Sequence, residues 1–292
     1  MTDLPAPFIE RTRRLLGDDY PRFAESLESE SPTSIRLNPS KSTPTGTIGD
    51  PVLWARHGFY LSSRPTFTFD PRLHAGAYYV QEAASMFLNR VIRQYVHEPV
   101  RYLDLCAAPG GKSTDAVASL PVGSLIVSNE VIPNRAHILT ENIVKWGSPY
   151  CIVTRNEASA FGALEEYFDI IAADVPCSGE GMFRKDPAAI TEWSAANVAH
   201  CAERQRAILT DVWNARRIVH LQHLYLQHRR KRGDDRFPPK KVRSHTSHSR
   251  YRPSLEHNAC TRWRSARLSL HAPPYPGRRS LYGNPSETGR TR

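Results

Sequence analysis

Nowhere do about 18 apolar residues follow one another, so no membrane span is predicted for this chain. The N-terminus, MTDLPAPFIERTRRLL, lacks the charged start, apolar middle and small-residue cleavage site of a secretion signal. The five cysteines, Cys106, Cys151, Cys177, Cys201 and Cys260, form no C-x-x-C pair and no metal-ligand spacing. A disulfide scaffold and a structural zinc site are therefore excluded, and free thiols in a reducing cytoplasm are expected, without a metal. No internal repeat is visible, which argues against a solenoid or propeller. Acid is missing from one region only. Residues 216–292 hold 19 Lys+Arg against 4 Asp+Glu, a formal net of +15, with seven of the twelve His. Residues 1–215 hold 20 against 25, a net of −5. The chain's net of +10 thus belongs entirely to its last quarter. A basic, nucleic-acid-binding arm is one reading of that break.

What is present before residue 216 is the patterning of a globular α/β protein. Apolar positions at helical spacing (Phe8, Leu15, Leu16, Phe23, Leu27) predict helix within 5–29, with Asp3 as a cap and Pro5 in the first turn. Residues 31–75 are rich in Pro, Ser and Thr and carry strand-like pieces, SIRLN and HGFYLS. Residues 1–75 therefore read as a small α+β region, and 77–97 as an amphipathic helix. Strands and helices then alternate. RYLDLC (101–106), SLIVSNE (124–130), YCIVTR (150–155) and FDIIAAD (168–174) read as strands. Helices are predicted over 111–120, 133–146 and about 194–214. Continuous apolar strands separated by helices mean a parallel, doubly wound sheet with helices on both faces. Such sheets bind ligands at the carboxyl ends of their strands.

Three constellations fall at those ends. Cys106-Ala107-Ala108-Pro109-Gly110-Gly111-Lys112 follows the first strand, where two glycines let backbone approach a ligand. A phosphate-binding P-loop needs Gly where Cys106 stands, and the G-x-G-x-x-G fingerprint is absent. The competing reading is a structural tight turn. Glu130 ends the second strand, where an acid holds a ribose hydroxyl pair or merely caps. Glu157 follows the third strand. Asp174-Val-Pro-Cys177-Ser-Gly-Glu-Gly follows the fourth and puts a carboxylate and a thiol in one constrained loop. A lone Cys is usually an inert hydrophobe; this one sits beside an acid at a strand end.

Taken with YYVQEAASM (78–86), the CAAPGGK and DVPCSG motifs resemble the Sun/NOP2-type RNA cytosine-5 methyltransferases, most closely the ribosomal RNA branch. The resemblance covers about residues 1–215 and implies a class I, Rossmann-like fold binding S-adenosylmethionine. It implies RNA as partner, 16S ribosomal RNA first, and a monomeric enzyme without metal. By the same resemblance, Cys106–Lys112 line the methionine and ribose side of the cofactor, Glu130 holds the ribose, Glu157 the adenine edge, and Asp174 the floor. Glu157 stands where the family more often has Asp. The family's chemistry uses two thiols. One attacks carbon-6 of a flipped-out cytosine so that carbon-5 takes the methyl group. The Cys of the Pro-Cys loop, here Cys177, assists proton removal and release. Cys177 and Asp174 are thus the catalytic candidates. The attacking thiol belongs to a Thr-Cys motif on the next strand, after a Pro-Gly-Gly turn, and this sequence contains no such motif.

Its absence coincides with the charge break, and the genetic code connects the two. Read one nucleotide forward with free choice of synonymous codons, Ala215-Arg216-Arg217 yields Pro-Gly-Gly. HLQHLYLQHRRKRGDD (220–235) then yields IYSTCTYNTEENEEMI, with the Cys codon overlapping Leu224. GRRSLYGNPSE (277–287) yields EG-x-LFMAILRK, the closing strand of the family. Residues 216–292 therefore read as a frameshifted end after a catalytic core over 76–215. The last three strands of the sheet are then missing, FDIIAAD is left as an unpaired apolar edge, and the polypeptide is inactive as written. The alternatives are a non-catalytic RNA-binding protein using the basic arm, and a different Rossmann-like enzyme such as an NTPase.

Overall fold

The computed structural model describes residues 4–41, 48–213 and 216–222, the last of these as backbone only. The predicted Asp3 cap and the arm beyond residue 222 lie outside the described residues.

The chain opens with α1 (Ala6–Leu16) and α2 (Tyr20–Glu28), not one continuous helix. Gly17 breaks the run with φ +55° and a single tight turn follows. A small antiparallel sheet comes next: β1 (Ser34–Leu37), β2 (Asp50–Pro51), β3 (Gly58–Tyr60) and, after the short α3 (Pro71–His74), β4 (Tyr78–Val80). Their order is β2-β3-β1-β4. The helix predicted over 77–97 is therefore shorter than expected. Tyr78, Tyr79 and Val80 pair with Leu37, Arg36 and Ile35 instead, and regular helix begins only at α4 (Phe87–Tyr95). Aromatic and β-branched residues following a glycine turn favour the strand, and the available partner edge decides the matter.

The parallel sheet follows. It is built from β5 (Arg101–Asp104), α5 (Gly111–Ser119), β6 (Leu125–Asn129), α6 (Pro133–Trp146), β7 (Cys151–Thr154), α7 (Ala158–Gly162), β8 (Phe168–Asp174), α8 (Pro187–Glu192), α9 (Ala195–Asp211) and β9 (Arg216–Gln222). The strand order is β7-β6-β5-β8-β9, all parallel. Alternate residues serve opposite faces. Leu103, Val127, Ile171 and Ala173 join Phe161 and Val212 on one side. Tyr102, Ile126, Ile170 and Ala172 join Leu88, Ile92 and Ala116 on the other. Both faces are covered, which is why these strands read as continuous apolar runs.

The expected bare edge at FDIIAAD is not found. β9 pairs with β8 from Phe168↔Arg216 to Asp174↔Gln222. The helical crossover through α9 delivers a parallel strand to that edge, and backbone pairing satisfies its N–H and C=O groups whatever side chains the strand carries. Among the described residues no helix is long and apolar enough to cross a membrane.

Candidate active site

The carboxyl ends of β5, β6, β7 and β8 carry the singled-out residues, and the order of strand addition reverses between β5 and β8. The turn after β5 is held from outside. Arg135 donates to the Ala108 carbonyl at 3.1 Å, Asn142 and Tyr79 donate to that of Pro109, and Ala107 N–H donates to Asn129 O. Gly110 caps α5 with φ +111°, a conformation that side-chain-bearing residues rarely adopt. A β-carbon on Gly111 would press on the Tyr79 ring at 3.2 Å. The side chains of Ala107 and Ala108 pack against Leu139 and Ile143 of α6. The turn therefore offers a ligand its backbone.

Lys112, in the first turn of α5, crosses to Asp174 at the end of β8, Nζ to Oδ2 2.6 Å. This one contact brings the CAAPGGK turn and the DVPCSG loop together. Glu130, at the end of β6, keeps only 3% of its side-chain surface. Its Oε1 accepts from Ile132 N–H, and Oε2 lies 3.4 Å from Arg135 without a hydrogen bond. Glu157 is exposed at the start of α7 and makes no capping hydrogen bond to it. The loop carrying it is nonetheless fastened to β6, because Asn129 bonds both the N–H and the C=O of Asn156.

The two thiols differ. Cys106 is half-buried, and burial, reinforced by Asp104, Glu130 and Asp174, pushes its thiol up to about 12. It is held neutral and suits contact, not attack. Cys177 has accessible surface, yet the surrounding loop desolvates its sulfur and pushes that thiol up as well. Asp174, Cys201 and Glu180 add to the rise, and the Gly179 N–H opposes it by donating to the sulfur.

Sequence reasoning missed Asp104. It ends β5, is 1% exposed and accepts from Ser113 Oγ at 2.7 Å. Burial pushes its carboxyl up to about 6. An acidic residue set directly between Leu103 and Leu105 in an apolar run was the available signal. Asn129 was missed in the same way, one residue before Glu130.

Three comparisons bear on this arrangement. Residues 4–83 match the N-terminal domain of 16S rRNA methyltransferase RsmF, and residues 94–219 match 16S rRNA methyltransferase RsmB/F. The chain belongs to the RsmB/F family. Among its relatives is ribosomal RNA small subunit methyltransferase F of Pectobacterium atrosepticum, 33% identical over 228 residues, covering 73% of this chain and 47% of that protein. The Erwinia tasmaniensis protein of the same name is 31% identical over 229 residues, covering 73% and 48%. The chain thus spans about half the length of the curated relatives it matches. A methyltransferase homologue from Pyrococcus horikoshii superposes with a TM-score of 0.63 at 25% identity, over 75% of this chain and 72% of that one. NSun6 from Pyrococcus horikoshii, solved with SFG, shares the fold with a TM-score of 0.63 at 16% identity, over 77% and 84%.

Membership in the RsmB/F family implies S-adenosylmethionine as cofactor, and the residues present fit it. A buried carboxylate, Glu130, keeps one oxygen without a hydrogen bond, an acceptor that a hydroxyl pair can satisfy. Beside it lies a turn that presents backbone, closed by a lysine–carboxylate pair.

Proposed function

We propose that this chain is the N-terminal and cofactor-binding part of an S-adenosylmethionine-dependent methyltransferase acting on carbon-5 of a cytosine in small-subunit ribosomal RNA, and that it lacks the thiol that would attack the base. The observation that carries this reading is the Lys112–Asp174 pair, which ties the helix after the glycine turn to the strand end from which the Cys177 loop starts.

The cofactor, when bound, supplies an electrophilic methyl group. The chain's own residues would do the rest of what remains to it. Glu130 accepts from the ribose hydroxyls, Cys106 to Lys112 line the methionine and ribose side with backbone, and Glu157 faces the adenine edge. Asp174, neutralised by Lys112, forms the floor without presenting a bare negative charge to the base. Cys177 assists the last step: as a thiolate it takes the proton that leaves carbon-5 while the carbon-6 bond to the attacking thiol breaks, rather than attacking carbon-6 itself. The missing nucleophile belongs on the strand next to β8. That place is taken by β9, and codons from Ala215 to Tyr225, read one nucleotide on with free synonymous choice, can supply Pro-Gly-Gly and then Ser-Thr-Cys-Thr. The RsmB/F match stops at residue 219, inside the same strand.

The test compares the chain as given with one in which the reading frame is restored at the codons for Asn214–Arg217. Both are expected to bind S-adenosylmethionine by calorimetry. Only the restored chain is expected to methylate unmodified small-subunit rRNA. Turnover by the chain as given would overturn the loss of activity. Failure of both to bind S-adenosylmethionine would overturn the reading as a whole. A salt-sensitive RNA affinity that disappears on deleting 216–292 would instead favour the non-catalytic RNA-binding alternative.

A further inference from the structure

We infer that the Arg11–Glu180 pair is a positioning device through which helix α1 of the N-terminal region fixes the loop that carries Cys177. Glu180 lies three residues after Cys177 and keeps 10% of its side-chain surface. Its Oε2 is 2.8 Å from Arg11 Nη2, while its Oε1 accepts from Trp193 Nε1 at 2.9 Å and from Ser178 Oγ at 3.2 Å. The Arg11 guanidinium lies over the rings of Phe8 and Trp193, at 5.5 and 5.7 Å, so it is itself held by aromatic faces. Phe8, Phe183, Trp193 and Val198 form a separate apolar cluster under this contact. It joins α1 to the end of the catalytic loop.

The path from the pair to the thiol is short. Gly179, adjacent to Glu180 and left-handed at φ +77°, donates its N–H to the Cys177 sulfur. Gln205 of α9 holds the Pro176 carbonyl at 2.7 Å on the other side. The loop is therefore clamped on both sides of Cys177, and the clamp on the Glu180 side is the one that carries charge. The groups facing the sulfur are Asp174, itself paired with Lys112, then Glu180 and Cys201. Without Arg11, the Glu180 charge would act on Cys177 unopposed and the Gly179 amide would lose its anchor. Both changes stabilise the neutral thiol.

This inference rests on Cys177 being the proton-handling thiol, but its test needs no methyl transfer. The rate of iodoacetamide modification of Cys177 is followed against pH in the full chain by peptide mass spectrometry. Arg11→Met is expected to slow modification roughly three- to tenfold at neutral pH, equivalent to a rise of half to one pKa unit. Arg11→Lys, which restores the charge, is expected to stay within about a factor of two of the parent. Trp193→Phe keeps an aromatic ring at the position under Arg11 and removes the Nε1 donor. It is expected to shift the profile in the same direction as Arg11→Met by a smaller amount, and it carries the test if Arg11→Met does not fold. Profiles of Trp193→Phe and of folded Arg11→Met that superpose on the parent would overturn the inference, whatever happens to Tm. So would Arg11→Lys behaving like Arg11→Met. The functional reading fails separately, if Cys177→Ser leaves methyl transfer by the frame-restored chain untouched.

Discussion

Asp104 and Glu130 are two buried carboxylates at the carboxyl ends of neighbouring strands, and their surroundings set them different tasks. Glu130 keeps one oxygen without a hydrogen bond. Glu130→Gln is expected to weaken S-adenosylmethionine binding about 10- to 100-fold by calorimetry, the size of hydrogen bonds lost to a charged group; an unchanged Kd would remove it from the cofactor site. Asp104 has its carboxyl raised from 3.8 to about 6 by burial. Its neutral form is the one the fold favours, so the stability it contributes is complete below the unfolded value and is lost as pH rises through about 6. Asp104→Asn is therefore expected to gain stability relative to the parent between pH 4 and 7, by up to about 3 kcal/mol. Urea titrations at several pH values check this, and a pH-independent difference would refute it. Glu130 was legible from its position at a strand end. Asp104 was hidden because DLC continues an apolar strand, and only burial on both faces shows how much its charge costs.

At the scale of elements, FDIIAAD was legible to the residue, since a fully buried central strand has no polar alternation to blur its ends. Helix α6 was equally plain, with Pro133 at its first turn and Gly147 closing it at φ +83°. The segment after Gly76 was not. Its residues suit a helix by periodicity and a strand by composition, and the exposed edge of β1 settles the competition at Tyr78–Val80. The pairing of β9 has the same cause. The edge of β8 is apolar and parallel addition covers it, so deleting residues 214–292 is expected to increase aggregation of the remaining chain. Light scattering at matched concentrations measures this; a deletion variant that stays monomeric would show that β9 protects nothing.

Across the whole molecule, a buried arginine is among the ties between the small antiparallel sheet and the helices that pack on the parallel sheet. Arg36, on β1, has no exposed surface. It donates to Gln81, to the Thr114 hydroxyl and to the Gly111 carbonyl, and its guanidinium lies 4.5 Å over Trp146. Its Nε is 3.6 Å from Asp115, which is equally buried. Removing it leaves the Asp115 charge without compensation, so Arg36→Met is expected to cost about 3–5 kcal/mol. Because Gly111 belongs to the turn proposed to hold the cofactor, S-adenosylmethionine affinity should fall together with Tm. Loss of Tm with unchanged affinity would separate the sheet junction from the site.

The sequence by itself determined the doubly wound core, the two motif loops and the family, because strand periodicity and glycine turns are local and the motifs are contiguous. It also determined the charge break after Ala215, since composition is a property of the chain that no fold can alter. Tertiary structure alone decided which groups meet. Lys112 reaches Asp174, Arg11 reaches Glu180 and Arg36 reaches Asp115 across separations of tens of residues or more. Such pairs leave no periodic trace in the chain, because a charged side chain reads as surface until its partner is found in the core. The pairing of β9 with β8 belongs to the same class: backbone hydrogen bonding recruits a strand by position, whether or not its side chains are those the site requires.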